Sequence, residues 1–154
     1  MLWVGYWESQ ADYWARTRAL GGLEELDALC AASADRFFFQ QLASYENMGR
    51  VPAVVQCTLI QTAPETTEQV LEYLQTHRAP ALKQSPGLLL RELHQDRNVP
   101  TRLCAIHGWE SVAALDRHER EGHPHFESRA HELGASVEYF RGLTRAHVDR
   151  YTEG

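Results

Sequence analysis

RLCAIHGWESVAALDRHEREGHPHF, residues 102–126, moves from an apolar strand through Gly108-Trp109 into a helical run and then into a histidine cluster. Val112, Leu115 and His118-Glu119 recur at three-to-four-residue spacing behind Ser111, whose hydroxyl can cap the free amides of a new helix. A helix therefore starts just after Trp109. The indole is left at the end of a strand, where rigid structure can aim it over a cavity. Four of the eight histidines, His107, His118, His123 and His125, fall in this segment. A site is one reading; the other makes Trp109 a core aromatic and the histidines the decoration of an exposed helix end.

Outward from this stretch, the pattern on either side repeats. Residues 53–62, AVVQCTLIQT, alternate, with Val55, Cys57 and Leu59 on one face and Gln56, Thr58 and Ile60 on the other. This predicts a strand with one partly polar face. Thr62-Ala63-Pro64-Glu65 fits a capping box, and Val70, Leu74 and His77 carry a helix to about Ala79. Ser85-Pro86-Gly87 breaks the chain before a strand over 88–94; Asp96-Arg97-Asn98 turns it into the strand over 101–109, giving a hairpin. Gly122 and Pro124 should interrupt the following helix, which resumes through Phe126 and Leu133 and ends at Gly134, before a last strand over 136–150. The order strand, helix, strand, strand, helix, strand is the α+β, ferredoxin-like βαββαβ arrangement: two helices on one face of a four-stranded antiparallel sheet.

Ahead of it, Tyr6-Trp7-Glu8-Ser9 matches Gly108-Trp109-Glu110-Ser111, and Ala32-Ser33 with the aromatics after it mirrors Ala135-Ser136 with Tyr139 and Phe140, in nearly the same register. The expected organisation is a strand-helix-strand half-unit over 1–48, a linker over 49–52 and a complete unit over 53–154; a helical extension packed on the domain is the alternative. The sheet face away from the helices needs a cover, from the half-unit or from a second chain, so a homodimer is expected.

The chain has 154 residues, 44% of them hydrophobic, enough for one domain with an attached half. A formal charge of −6 with scattered Lys and Arg argues against a nucleic-acid surface. No apolar run approaches the roughly 20 residues that span a bilayer, and Met1-Leu2-Trp3 leads into acidic residues rather than a signal peptide, so a cytoplasmic protein without membrane contact is expected. Cys30, Cys57 and Cys104 form no CxxC pair and read as reduced core thiols.

Over residues 53 to about 140 the chain resembles the antibiotic biosynthesis monooxygenase family of dimeric α+β barrels. Ser85-Pro86-Gly87, the hairpin, Trp109-Glu110-Ser111, His118 and His125-Phe126 fall in the family's order. The resemblance implies oxidation of an aromatic quinol or anthrone, a polyketide-like substrate, by O2 without a cofactor, the substrate anion itself giving up the electron. Such chemistry needs a flat apolar pocket, a hydrogen bond to a ring oxygen and a base. On this reading Trp109 and Phe126 are walls, Tyr139 adds a substrate contact, Gln56 holds an oxygen, and His107 or His118 takes the proton. Some relatives resemble one another in an asparagine near the tryptophan; here Ala105 and Gln56 stand instead.

A second resemblance is to the haem-containing aldoxime dehydratases, over HGWES followed by His123-Pro124-His125. It implies haem with His125 as axial ligand and His147 on the distal side, although the chain has half that family's length and its HPH is one residue shorter than HPxH. A third class is a cyclase-like or binding pocket without redox chemistry. Zinc or copper at His118, His123, His125 and Glu119 has no CxxC or HExxH pattern behind it. His77, His94 and His131 read as solvated or structural.

Overall fold

The computed structural model describes residues 39–46 and 50–143, which lie in one compact unit beginning at Phe39. The five strands are β1 Phe39–Glu46, β2 Val54–Gln61, β3 Leu88–Asp96, β4 Arg102–Trp109 and β5 Ser136–Leu143. They form one antiparallel sheet in the order β1-β3-β4-β2-β5. Strands β2 to β5, with the helices between them, make the expected ferredoxin-like βαββαβ unit, and β1 pairs along the free edge of β3. Phe37, Phe38, the YWES match and residues 144–154, including the end of the expected last strand, lie outside the described residues.

The helical layer departs from the sequence reading in three places. Thr62 makes no capping box; its hydroxyl bonds the Thr67 hydroxyl at 2.7 Å and donates to the Thr101 carbonyl at 3.0 Å, and a 3-10 turn over Pro64–Thr66 opens the layer without a side-chain cap. The helix also does not stop near Ala79. It runs as α1 Thr67–Tyr73, a π-helical segment Leu74–Arg78 and α2 Ala79–Lys83. Pro80 supplies the reason: it has no N–H for the Thr76 carbonyl, and its ring crowds that position. The chain takes up one extra residue instead, so that the Ala79 amide reaches back to Leu74 O.

The third correction concerns α3, Val112–Glu132, which is continuous through Gly122 and Pro124. An interior proline costs about 3 kcal/mol. Burial on both sides offsets it, with Ala114, Leu115 and His118 before the proline and His123, Phe126 and Ala130 after it. Gly122 is needed for space rather than for a break, since a Cβ there would come within 2.9 Å of the His118 ring.

Both ends of α3 are as expected. Ser111 Oγ accepts from the Ala114 amide at 3.1 Å. At the other end Gly134, at φ +71°, lets the Gly134 and Ala135 amides return to the His131 and Ala130 carbonyls in a Schellman motif.

On the helix-covered face the core falls into two apolar clusters. Ile60, Val70, Leu74, Leu93, Leu103, Phe126 and Ala130 form one; Val54, Leu82, Leu88, Trp109, Ala114 and Leu115 form the other. On the opposite face Cys57, Cys104 and Ile106 are buried, with the two thiols 3.3 Å apart. Replacing Ser111 by alanine should cost about 1 kcal/mol in urea unfolding, and Ser111→Asp should recover most of it; equal loss in both variants would remove the cap from the account of where α3 starts.

Candidate active site

Strand register assembles the site. Arg91 on β3 stands opposite His107 on β4, His107 opposite Gln56 on β2, and Gln56 opposite Arg141 on β5. Period-two alternation turns this row toward the helices, between the two apolar clusters. Arg91, His107 and Gln56 are all buried. Two register rows further, on the same face, Trp109 ends β4 opposite Val54 and is 0% exposed.

Helix α3 lays a second row over the first. His118 stacks on the Trp109 indole at 4.7 Å, and its ring meets those of His107 at 6.5 Å and His123 at 5.4 Å edge-on. His123 in turn stacks on Tyr139 at 4.1 Å. The Gln56 amide nitrogen donates to Glu119 Oε1 at 2.9 Å and to His123 Nε2 at 3.3 Å. Glu119 is anchored by Arg141, which also pairs with Asp116 at 2.9 Å. A flipped amide would set its oxygen against the Glu119 carboxylate, so Gln56 Oε1 is the free end, buried and without a hydrogen-bond partner. The unpartnered end of Gln56 is therefore an acceptor.

Arg78, absent from the sequence reading, comes from the π-helical segment. Its guanidinium lies 4.4 Å from the Phe126 ring centroid, donates to the Gly122 carbonyl at 3.2 Å and faces His118 Nε2 at 3.3 Å. A donor at Nε2 leaves the neutral ring's proton on Nδ1. Burial first, then the Arg78 charge, then His123, holds His118 at about 4. Burial and then Arg78 hold His123 at about 4 against the opposite pull of Glu127. His107 is kept well below the usual imidazole value by burial, then Arg78, His118, Arg91 and His123. All three imidazoles are neutral at pH 7.

Outside them a cleft of about 160 Å³ is lined by Trp109, His118, Arg78, Leu82, Pro86, Ala114 and Gly122, with Arg117 and Glu121 exposed along it. A second cavity, about 10 Å³, lies among Thr58, Leu74, Arg91, Ala105, His107 and Phe126, and shares Arg78 and Leu82 with the first. Of the residues expected from the sequence, Gln56, His107, Trp109, His118, Phe126 and Tyr139 are thus brought together. His125 is not: it is exposed on α3. His147 lies outside the described residues. His125, the axial ligand that the second resemblance implies, lines neither the cleft nor the small cavity. Among the described residues no three His, Cys, Asp or Glu side chains are grouped as metal ligands.

Arg91 and Arg78 were hidden for different reasons. In LLLRELH a bulge between Leu88 and Leu90 shifts the register, so simple alternation does not say which face Arg91 takes. Arg78 depends on the π-helical turn, for which Pro80 two residues later was the one available signal.

Residues 53–132 match the family model described as antibiotic biosynthesis monooxygenase. Among solved structures the chain is similar to PA3566 from Pseudomonas aeruginosa, with 28% identity and a TM-score of 0.52 over 63% of this chain and 97% of that one. It shares its fold with the monooxygenase from the gene ActVA-Orf6 of Streptomyces coelicolor, solved with Nanaomycin D, at 14% identity and a TM-score of 0.53, over 63% and 91% of the two chains. The heme-degrading enzyme LmHde of Listeria monocytogenes has 14% identity and a TM-score of 0.55, over 79% and 92%. No curated protein matches the chain.

Three neutral imidazoles should leave a mark on stability. Their folded-state values are depressed, so between pH 6.5 and about 4 the unfolded chain binds more protons than the folded one. Stability is full above about 6.5 and should fall as pH drops through that window. Urea midpoints measured across it should decline less in His118→Gln and His123→Gln than in the wild type; parallel curves would show that these rings are not held neutral.

Proposed function

The chain belongs to the antibiotic biosynthesis monooxygenase family, and from that premise we propose that it oxidises an aromatic quinol or anthrone-type substrate with O2, without a cofactor. The observation that carries this reading is a neutral His118 that stacks on the Trp109 face and takes a hydrogen bond from the Arg78 guanidinium at the inner wall of a cleft. A flat ring in that cleft lies against apolar wall on one side and meets a base and a cation on the other.

In this mechanism His118 accepts the proton from the substrate hydroxyl or activated CH2, with His107 behind it as the alternative base. Arg78 transfers its hydrogen bond from His118 Nε2 to the oxyanion that forms, and Gln56 Oε1 accepts from a second hydroxyl. The cation makes His118 a weaker base and the oxyanion a better-stabilised product, so the two influences on the transfer are opposed. The substrate anion then reduces O2. For an anthrone, the CH2 carbon gains one oxygen atom as a carbonyl, and the second oxygen leaves as water with the two hydrogens.

Oxygen consumption with a panel of quinols and anthrones tests the reaction, using protein freed of metal and haem. His118→Ala or His107→Ala should lower the rate by roughly 100-fold or more with the fold intact. Because the free base sits at about 4, the acid limb of kcat/KM should fall near pH 4 and not near 6.5. No uptake with any substrate, or full activity in both variants, would leave a cyclase-like or binding role for the same cleft. We also propose a homodimer, as such a sheet requires a cover; light scattering at micromolar concentration should give twice the monomer mass, and a strict monomer would refute it.

A further inference from the structure

Arg91 is 4% exposed and Arg78 is half-buried, yet among the described residues neither forms an ion pair with a carboxylate. Arg91 makes one hydrogen bond, to the Leu74 carbonyl at 3.1 Å, and its Nε has no partner. Arg78 touches only uncharged groups, the Gly122 carbonyl, His118 and the Phe126 ring, and its Nε is likewise unpartnered. The carboxylates near by are engaged or outside: Glu119 holds Gln56 and Arg141, Asp116 holds Arg141, Glu127 is exposed beside Tyr139, and Glu121 is exposed on the cleft beside the equally exposed Arg117. Burying a guanidinium without a counter-charge is costly, and burying two side by side is more so. Both line the small cavity with His107, whose Nδ1 also lacks a partner. That cavity has room for about one oxygen-sized group.

We propose that Arg78 and Arg91 form an anion site, and that the cleft takes a single aromatic ring bearing an acidic oxygen, carboxylate or phenolate, directed at this pair. The cleft, of about 160 Å³, seats one aromatic ring, as a cavity of about 150 Å³ accepts benzene, and its open side leaves any further ring in solvent. The proposal rests on the cleft by Trp109 being the substrate site, and it narrows the substrate from aromatic quinols and anthrones at large to those that direct an anionic oxygen at this pair. A purely structural role for Arg91, bracing the Leu74 carbonyl, uses one of five N–H groups and leaves the charge unanswered.

The test is calorimetric titration of the full chain at pH 7 with benzoate and its uncharged isostere benzamide, and with 4-nitrophenolate and 4-nitroanisole. At least one anion should bind 10-fold or more tightly than its neutral partner; which pair discriminates tells carboxylate from phenolate. Arg78→Gln and Arg91→Met should each abolish the preference, while Arg91→Met keeps or raises the thermal midpoint, because an unpaired buried charge has been removed. The proposal is overturned if neither anion binds better than its neutral partner, if both variants keep the preference, or if Arg91→Met lowers the midpoint and leaves the preference intact. Anion preference without oxygen uptake on any quinol removes the oxygenase reading and leaves this one standing. Oxygen uptake by the wild type without anion preference does the reverse.

Discussion

The site depends on the antiparallel register that sets Arg91, His107 and Gln56 side by side on three neighbouring strands. A polar row through the middle of a sheet, on the face that helices cover, costs desolvation at every position unless partners are supplied. Helix α3 supplies some: Glu119 and His123 reach Gln56, and Arg141 neutralises Glu119 from the far edge. It does not supply all: of the residues with an atom left over, Trp109 and Arg78 line the cleft and His107, Arg91 and Arg78 the cavity behind it, while Gln56 lines neither. The apolar clusters on either side keep that row dry and fix the distance between sheet and helix.

Electrostatically the row is unusual in mixing cations with neutral imidazoles. A carboxylate beside His107 or His118 would raise them toward neutrality and make them stronger bases; here the neighbours are arginines, which act the other way. Such an environment is poor at holding a proton and good at holding negative charge. Chemistry that passes through an oxyanion suits it.

Much of the fold was legible because it is local. Alternation gave β2 and β4 within a residue at each end, Asp96-Arg97-Asn98 gave the hairpin turn, where Asp96 Oδ1 accepts from the Asn98 and Val99 amides, and Ser111 and Gly134 bounded α3. Trp109, His107 and His118 were legible as candidates because aromatic and titratable side chains clustered at the end of a strand, and Gln56 because alternation put it on the polar face of β2. What failed was reading Gly122 and Pro124 as breakers, since tertiary burial on both sides of Pro124 outweighs one lost hydrogen bond. The two arginines stayed hidden because a bulge and a π-helical turn, not the residue types, decide which way they face.

The wide turn over Leu74–Arg78 carries one residue more than an α-helix would spend on the same rise. Deleting one position there would leave an α-turn in its place and bring the proline ring against the backbone it now clears, so the segment that carries the guanidinium could not keep its present path. The cation that faces His118 is therefore a matter of chain length as much as of composition. Sites of this build are gained or lost by a single-codon insertion or deletion, a change that substitution scans never sample.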